Sequence, residues 1–266
     1  MPVLRGAGDG MTENTLDQLI TAALRAQHEA REAQHPRDHS VFHDSSANSC
    51  LRKRVLIRSG AEVAAPQADD LRNFEFGHMI HGLIQRALLA IGAIPIVNGV
   101  ALLERTLTDA ETSGTFDCLV KLNGDGYTLM DIKTCSVFAF QHLKEEGAKP
   151  GHMQQVCRYW LKLKGLYPIH DVQIYYIEKD KGFTRDFVIP MTEGLIRETT
   201  ADLTAEQEAW GALPTLPPRI AAGSPDAWQC HFCSVYEACG EREKISKFSP
   251  TFDRATMLAF KKGGAQ

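Results

Sequence analysis

The stretch 114-GTFDCLVKLNGDGYTLMDIKTC-135 decides how this chain folds. It divides into two runs of strand character, Gly114–Leu122 and Tyr127–Cys135. Asn123-Gly124-Asp125-Gly126 joins them with a strong hairpin-turn signal. Successive strand residues point to opposite faces, so Asp131 and Lys133 project to one side and Ile132 is buried on the other. The turn folds Asp117 back toward the same region. Two carboxylates and one lysine are therefore expected to converge at a sheet edge.

Upstream of the hairpin, Val100–Leu107 reads as a further strand. Asn73–Ile91 is rich in Phe, Met, Ile and Leu and reads as a buried helix, which Pro95 keeps from continuing. Residues 15–34 read as an amphipathic helix, with Thr15 and Gln18 forming a capping box. His35, His39 and His43 then fall in a polar linker, followed by the mixed basic and apolar segment Leu51–Ser59. Downstream, a helix is expected over Met153–Lys164, ended by Gly165. Asp171–Glu178 and Phe183–Ile189 form a second hairpin, and Thr192–Trp210 is another helix. The order implies an α/β fold whose mixed β-sheet core is flanked by helices, without the strict βαβ alternation of a doubly wound sheet. At 266 residues the chain can bury one substantial core, or one core with a small accessory module.

The trio suits phosphodiester hydrolysis. Carboxylate oxygens are the hard ligands that Mg²⁺ or Mn²⁺ prefers. A cation so held can acidify water and offset charge developing on a phosphate. A neighbouring lysine can orient the water, offset that charge or, with its pKa lowered by burial, act as a base. A lone D-x-K is as readily a salt bridge on an exposed strand; Gly114-Thr115-Phe116-Asp117 on the paired strand favours the chemical reading.

Other polar groups stand at telling spacings. His78 and His81 lie three apart on an apolar helix and can share a side; His81 is the favoured third ligand beside the carboxylates, with His78 its competitor. Gln155 and Tyr159, at i and i+4, share a helix face and can contact a nucleic-acid strand or support the ligands. Arg158 and Lys162 form a second such pair, able to contact phosphate.

The net charge of −4 gives no global sign of a polyanion partner, although a local positive groove is all such a partner needs. No apolar run approaches the ~20 residues of a membrane span. The opening MPVLRGAGDG lacks a signal peptide's apolar stretch, so a cytoplasmic location is expected. In a reducing compartment, seven cysteines point to metal rather than disulfides. Cys230-His231-Phe232-Cys233 followed by Cys239 supplies three sulfurs around one centre. Zinc would accept these with His231 or a distant cysteine, whereas an iron–sulfur cubane wants a fourth thiolate, for which Cys50 is the candidate. Cys118, Cys135 and Cys157 read as ordinary buried thiols.

Taken in order, these motifs resemble the RecB-like branch of the PD-(D/E)XK nucleases, above all its CRISPR-associated iron–sulfur members and related phage exonucleases. The matching residues are His81 in G-x-x-x-H, Asp117 in G-x-x-D, Asp131 and Lys133 in D-x-K, Gln155 and Tyr159 in Q-x-x-x-Y, and Cys50 with Cys230, Cys233 and Cys239. The resemblance implies a restriction-endonuclease-like core over about residues 45–240, an N-terminal helical extension over 1–44 and a tail over 241–266. It implies that His81, Asp117, Asp131 and the Ile132 carbonyl hold Mg²⁺ or Mn²⁺ and that Lys133 is catalytic. Gln155 and Tyr159 would support the site or contact DNA. The four cysteines would hold a 4Fe–4S cluster joining the N- and C-terminal segments. The expected activity is hydrolysis of DNA, single-stranded or end-resected, as an exonuclease. A helicase, integrase or recombination partner and a homo-oligomer are left open. Asp131 stands where many relatives carry Glu, which would shift metal spacing. The alternatives are a non-catalytic nucleic-acid-binding module on the same fold, and a zinc-stapled adaptor.

Overall fold

The computed structural model describes residues 16–36, 38–122, 124–221 and 224–240. Thr15, Asn123 and the tail after Gly240 lie outside the described residues. Helix α1 (Leu16–Gln34) leads to a two-residue strand β1 (Phe42–His43), and helices α2 (Leu51–Arg58) and α3 (Ala68–Ala90) follow. Two short strands, β2 (Ile96–Val97) and β3 (Val100–Ala101), pair with each other. Then come β4 (Leu103–Thr108), β5 (Thr112–Val120) and β6 (Tyr127–Cys135), helices α4 (Val137–Glu146) and α5 (Pro150–Leu163), the hairpin β7 (Ile169–Glu178) and β8 (Thr184–Val188), helix α6 (Glu193–Gly211) and the short α7 (Tyr236–Cys239). Among the described residues no helix is long and apolar enough to cross a membrane.

The sheet is mixed and helix-flanked, as the segment order predicts. Its six strands run β1-β5-β6-β7-β8, with β4 also paired to β5. β5 is antiparallel to β6, β6 is parallel to β7, and β7 is antiparallel to β8. The parallel pair needs a crossover, and α4 and α5 provide it. These helices cover one face: Phe140, Leu143, Val156, Tyr159 and Leu163 pack on Leu119, Leu129 and Ile174. α3 covers the other, where Ile84 and Leu88 pack on Cys118, Met130 and Ile132.

Several elements depart from the sequence-based expectation. α3 starts at Ala68 rather than Asn73, and only Leu71 and Gln85 along it are buried, while Phe74, Phe76, Met79 and Leu83 are exposed. It is a half-covered helix, not a buried one, because the sheet reaches only one of its sides. Val100–Leu107 is not one strand: Leu102 breaks it, and Glu104 holds a positive φ of 45°. Leu51–Arg58 is a helix. α4 follows β6 directly, started by Ser136, whose hydroxyl accepts the Ala139 N–H at 3.2 Å. Its Val-Phe-Ala-Phe start carries no helical period to announce it. α1 forms over the expected range but buries none of its residues.

A buried ion network binds the helical layer. The Arg54 guanidinium on α2 meets Asp202 at 2.7 Å and also Glu206, both on α6. Arg158 on α5 reaches Asp202 at 2.5 Å, Glu206 at 3.1 Å and Asp44 at 3.8 Å. Lys162 closes on Asp44 at 2.7 Å. Arg158 and Lys162 are therefore internal counterions and not phosphate contacts, which corrects the expectation from their spacing. Removing one member strands buried charge, so Arg158→Ala is expected to cost about 3–5 kcal/mol in urea unfolding; a loss below about 1 kcal/mol, the range of exposed pairs, would show that the network is not structural.

Candidate active site

β5 and β6 pair only through Cys118–Met130, Leu119–Leu129 and Val120–Thr128. Beyond that register the strands part, and the ladder bonds that would have continued must be satisfied otherwise. Asp117 does so: its Oδ2 accepts the Ile132 N–H at 2.5 Å. A strand residue sends its N–H and C=O to the same edge, so the Ile132 carbonyl opens onto the same fork. The fork is thus a consequence of strand divergence, and it gathers polar groups where a sheet would otherwise be closed.

Asp131 lies in the fork, 1% exposed, with its Oδ2 2.8 Å from Lys133 Nζ. Among the described residues that lysine is its one salt-bridge partner, and Oδ2 otherwise makes no hydrogen bond. His81 arrives from α3 with Nδ1 3.5 Å from Asp117 Oδ1. One turn later Gln85 donates to the Asp117 carbonyl at 3.4 Å, so α3 is seated across β5 at this residue. His78 belongs elsewhere, close to Glu75 and Arg31.

The titration shifts share a direction. Burial pushes the Asp131 carboxyl up to about 6, with the Asp117 charge adding to it and Lys133 opposing. Burial pulls against the Lys133 ammonium, but Asp131 and Asp117 outweigh it and raise its pKa. His81 is likewise raised, the Asp117 hydrogen bond and charge overcoming desolvation. Lys133 and His81 hold their protons more firmly because of the carboxylates they face, and Asp131 because it is buried. Lys133 held as ammonium does not fit the base role that burial alone would permit.

Gln155 and Tyr159 on α5 are both buried, and the Gln155 amide donates to the Tyr159 hydroxyl at 2.9 Å. Burial pushes the phenol pKa up, Asp131 contributing. At 1% exposure Tyr159 is placed to support the fork from inside rather than to meet a strand in solvent. Gly114 makes room for it: a Cβ there would stand 2.6 Å from Asp44 Oδ2 and 2.7 Å from Tyr159 Cε1.

At the other end, Cys50, Cys230, Cys233 and Cys239 line one cavity with Lys53, Leu56 and Arg219. Cys50 precedes α2, and its N–H donates to Gln229 Oε1 at 2.9 Å. Desolvation and the neighbouring Cys50, Cys233 and Cys239 raise the Cys230 thiol. All seven cysteines are free; Cys118, Cys135 and Cys157 are buried. Cys118 packs on the α3 side, away from the fork. Among the described residues no three His, Cys, Asp or Glu side chains are already posed as a metal-binding group; Asp131 is turned onto Lys133 instead.

Sequence reasoning missed Asp44, Arg54, Asp202 and Glu206, and also His152 and Tyr176 beside Lys133. The i and i+4 spacing of Asp202 and Glu206 was a signal for paired acids on one helix face. Nothing local linked them to Arg54 or Arg158.

No family model matches the chain, and no curated protein does. Among solved structures it is similar to SSO0001, at a TM-score of 0.49 and 16% identity over 87% of this chain and 96% of that one. It is also similar to an alkaline exonuclease (LHK-Exo) from Laribacter hongkongensis, at 0.44 and 15% over 65% and 89%. A phage related exonuclease from Haemophilus somnus 129PT gives 0.39 and 13% over 61% and 80%.

Gly114→Ala is expected to destabilise the protein by about 1–3 kcal/mol through overpacking, read as a lowered urea midpoint with an unchanged slope. An unchanged midpoint would mean that Asp44 and Tyr159 yield freely.

Proposed function

We propose that this protein is a metal-dependent deoxyribonuclease of the restriction-endonuclease-like type, cutting at the β5–β6 fork. The observation that carries the reading is the convergence of Asp117, Asp131, Lys133, His81 and the Ile132 carbonyl edge on that one opening in the sheet. A fork with two carboxylates, one ammonium and a half-buried imidazole is suited to a hard divalent cation. The Asp131 oxygen that has only Lys133 for a partner is the donor such an ion would take. His81, Asp117, Asp131 and the Ile132 carbonyl would hold it. When bound there, Mg²⁺ or Mn²⁺ supplies positive charge for a phosphodiester and makes water a better nucleophile.

The chain's own residues do the rest. Lys133, kept as ammonium by its two carboxylate neighbours, offers a point charge to the phosphate as negative charge develops on it. Asp117, through the Ile132 N–H, fixes the carbonyl edge of β6. Gln155 and Tyr159 hold the α5 side of the fork and keep water from its inner wall. DNA, single-stranded or end-resected, is the proposed substrate, and exonucleolytic cutting the proposed mode.

The cysteine cavity has the donor chemistry of a 4Fe–4S site: four soft sulfurs at one place, with Lys53 and Arg219 near enough to offset thiolate charge. Cys50, Cys230, Cys233 and Cys239 would hold the cluster, whose part here is structural, joining the segment before α2 to the one around α7.

End-labelled single- and double-stranded DNA with Mg²⁺ or Mn²⁺ tests the assignment. Wild type is expected to cut, and Lys133→Ala to lose about 10²–10³-fold in rate with its circular dichroism retained. Absence of cutting by wild type in either metal favours the binding module; cutting that survives Lys133→Ala removes the lysine from the mechanism. For the cysteines, protein purified without oxygen is expected to be brown and to carry iron with acid-labile sulfide. Colourless protein carrying zinc would overturn the cluster.

A further inference from the structure

Across the parallel β6–β7 pair, the residue in register with Lys133 is Tyr176. It is fully buried on the α4–α5 side of the sheet. Its hydroxyl accepts the Lys149 N–H at 3.1 Å and lies 2.8 Å from Nδ1 of His152, whose ring stacks on the tyrosine with centroids 5.6 Å apart. A phenol has one proton to give, and Nδ1 beside it can accept it. The contact allows either direction; with the phenol as donor, Nδ1 is unprotonated and the ring carries its hydrogen on Nε2. Desolvation, with the charges of Lys133 and Lys149, pushes the His152 pKa down to about 3, so the ring stays neutral. Nε2 makes no hydrogen bond among the described residues, and it is not sealed in the interior.

This is an unusual investment for a histidine serving only as packing. One nitrogen is committed to a buried tyrosine that fixes the ring and its tautomer. The other makes no hydrogen bond among the described residues, and the ring is close enough to Lys133 to feel its charge. His152 also lies in the first turn of α5, whose positive end favours an anion. A neutral N–H at a helix N-terminus favours an anionic acceptor, and Lys133, itself paired with Asp131, stands nearby.

We propose that His152 is a substrate-contacting residue, a neutral imidazole locked by Tyr176 that offers its Nε2–H, beside Lys133, to a non-bridging phosphate oxygen of a nucleic-acid strand. The identity of the strand rests on the nuclease reading; the fixed tautomer does not. Tyr176 is a positioning residue that acts through the histidine. The donor needs no protonation event, so it serves binding rather than proton transfer.

The test compares His152→Ala, His152→Asn and His152→Gln in cleavage and in anisotropy binding of a fluorescent single-stranded oligonucleotide. Gln places an amide N–H near the position of Nε2, whereas Asn reaches only the position of Nδ1. Ala and Asn are expected to weaken binding and raise KM by about 10- to 100-fold, the worth of a hydrogen bond to a charged group, and Gln to recover most of it. Equal values for wild type and Ala, or equal losses in Ala and Gln, would overturn the proposal. Should wild type bind without cutting, the nuclease reading fails and the anisotropy series still decides this one. ¹⁵N-histidine NMR gives a readout free of turnover. The Nε2–H tautomer is expected, lost in Tyr176→Phe and shifted by the oligonucleotide; an Nδ1–H tautomer, or no shift at saturating oligonucleotide, overturns the contact.

Discussion

The ion network of Arg54, Arg158, Asp44, Asp202 and Glu206 ties together α2, α5 and α6, the helices beside the fork and the cysteine cavity. Charges this deep are costly to desolvate, and apolar residues of the same size would often stabilise a helix contact as well. What ions add is direction. A guanidinium satisfies two carboxylates only at one rotation and one height of its helix. Arg158 therefore fixes how α5 lies on the sheet, and with it the neighbouring face, which presents Gln155 and Tyr159 to the fork. Arg54 applies the same carboxylates to α2, the helix that Cys50 precedes. One set of acids on α6 thus aligns the helix behind the fork and the helix leading from the cysteine cavity.

The fork itself is a local failure of pairing turned to use. Had β5 and β6 stayed in register, the Ile132 N–H would have met a backbone carbonyl and Asp117 would have faced a packed layer. Because they part after three residue pairs, a side-chain carboxylate must replace the missing acceptor. That brings one negative charge to a second, Asp131, which the fold has already buried. A single ammonium sits between them: the carboxylates raise Lys133 and Asp117 raises His81, while Asp131 is raised first by its burial. The surplus of negative charge is confined to a space a few side chains across, so the overall charge of −4 carries no trace of it.

Much of this was legible in the sequence. The hairpin was, because period-two alternation and a Gly-rich turn are local signals; β6 spans Tyr127–Cys135 as read. So were the shared face of Gln155 and Tyr159, which needs only helix geometry, and the gathering of Cys50 with the distant Cys230, Cys233 and Cys239, which came from a family pattern. The extent of burial was not. α3 looked buried because its composition is apolar, yet composition does not say how much sheet there is to cover it. α4 was missed because a helix that starts right after a strand, with apolar residues in sequence, offers no periodic stripe. The partner of Lys133 across a parallel pair was equally hidden: the β6–β7 register is set through two intervening helices, and no spacing in the chain records it.

Arg158 and Lys162 show most clearly why identical spacing can mean opposite things. They stand at i and i+4 on α5, as Gln155 and Tyr159 do, and a basic pair on a helix suggests a phosphate contact. Gln155 and Tyr159 face the sheet, where burial would be punishing for two polar groups if the amide did not donate to the phenol. Arg158 and Lys162 project about sixty degrees round the same helix from them, into a second interior formed by α6 and the turn at Asp44. A helix between a sheet and another helix has two buried faces and little solvent face, so basic residues on it meet acids of their own chain first.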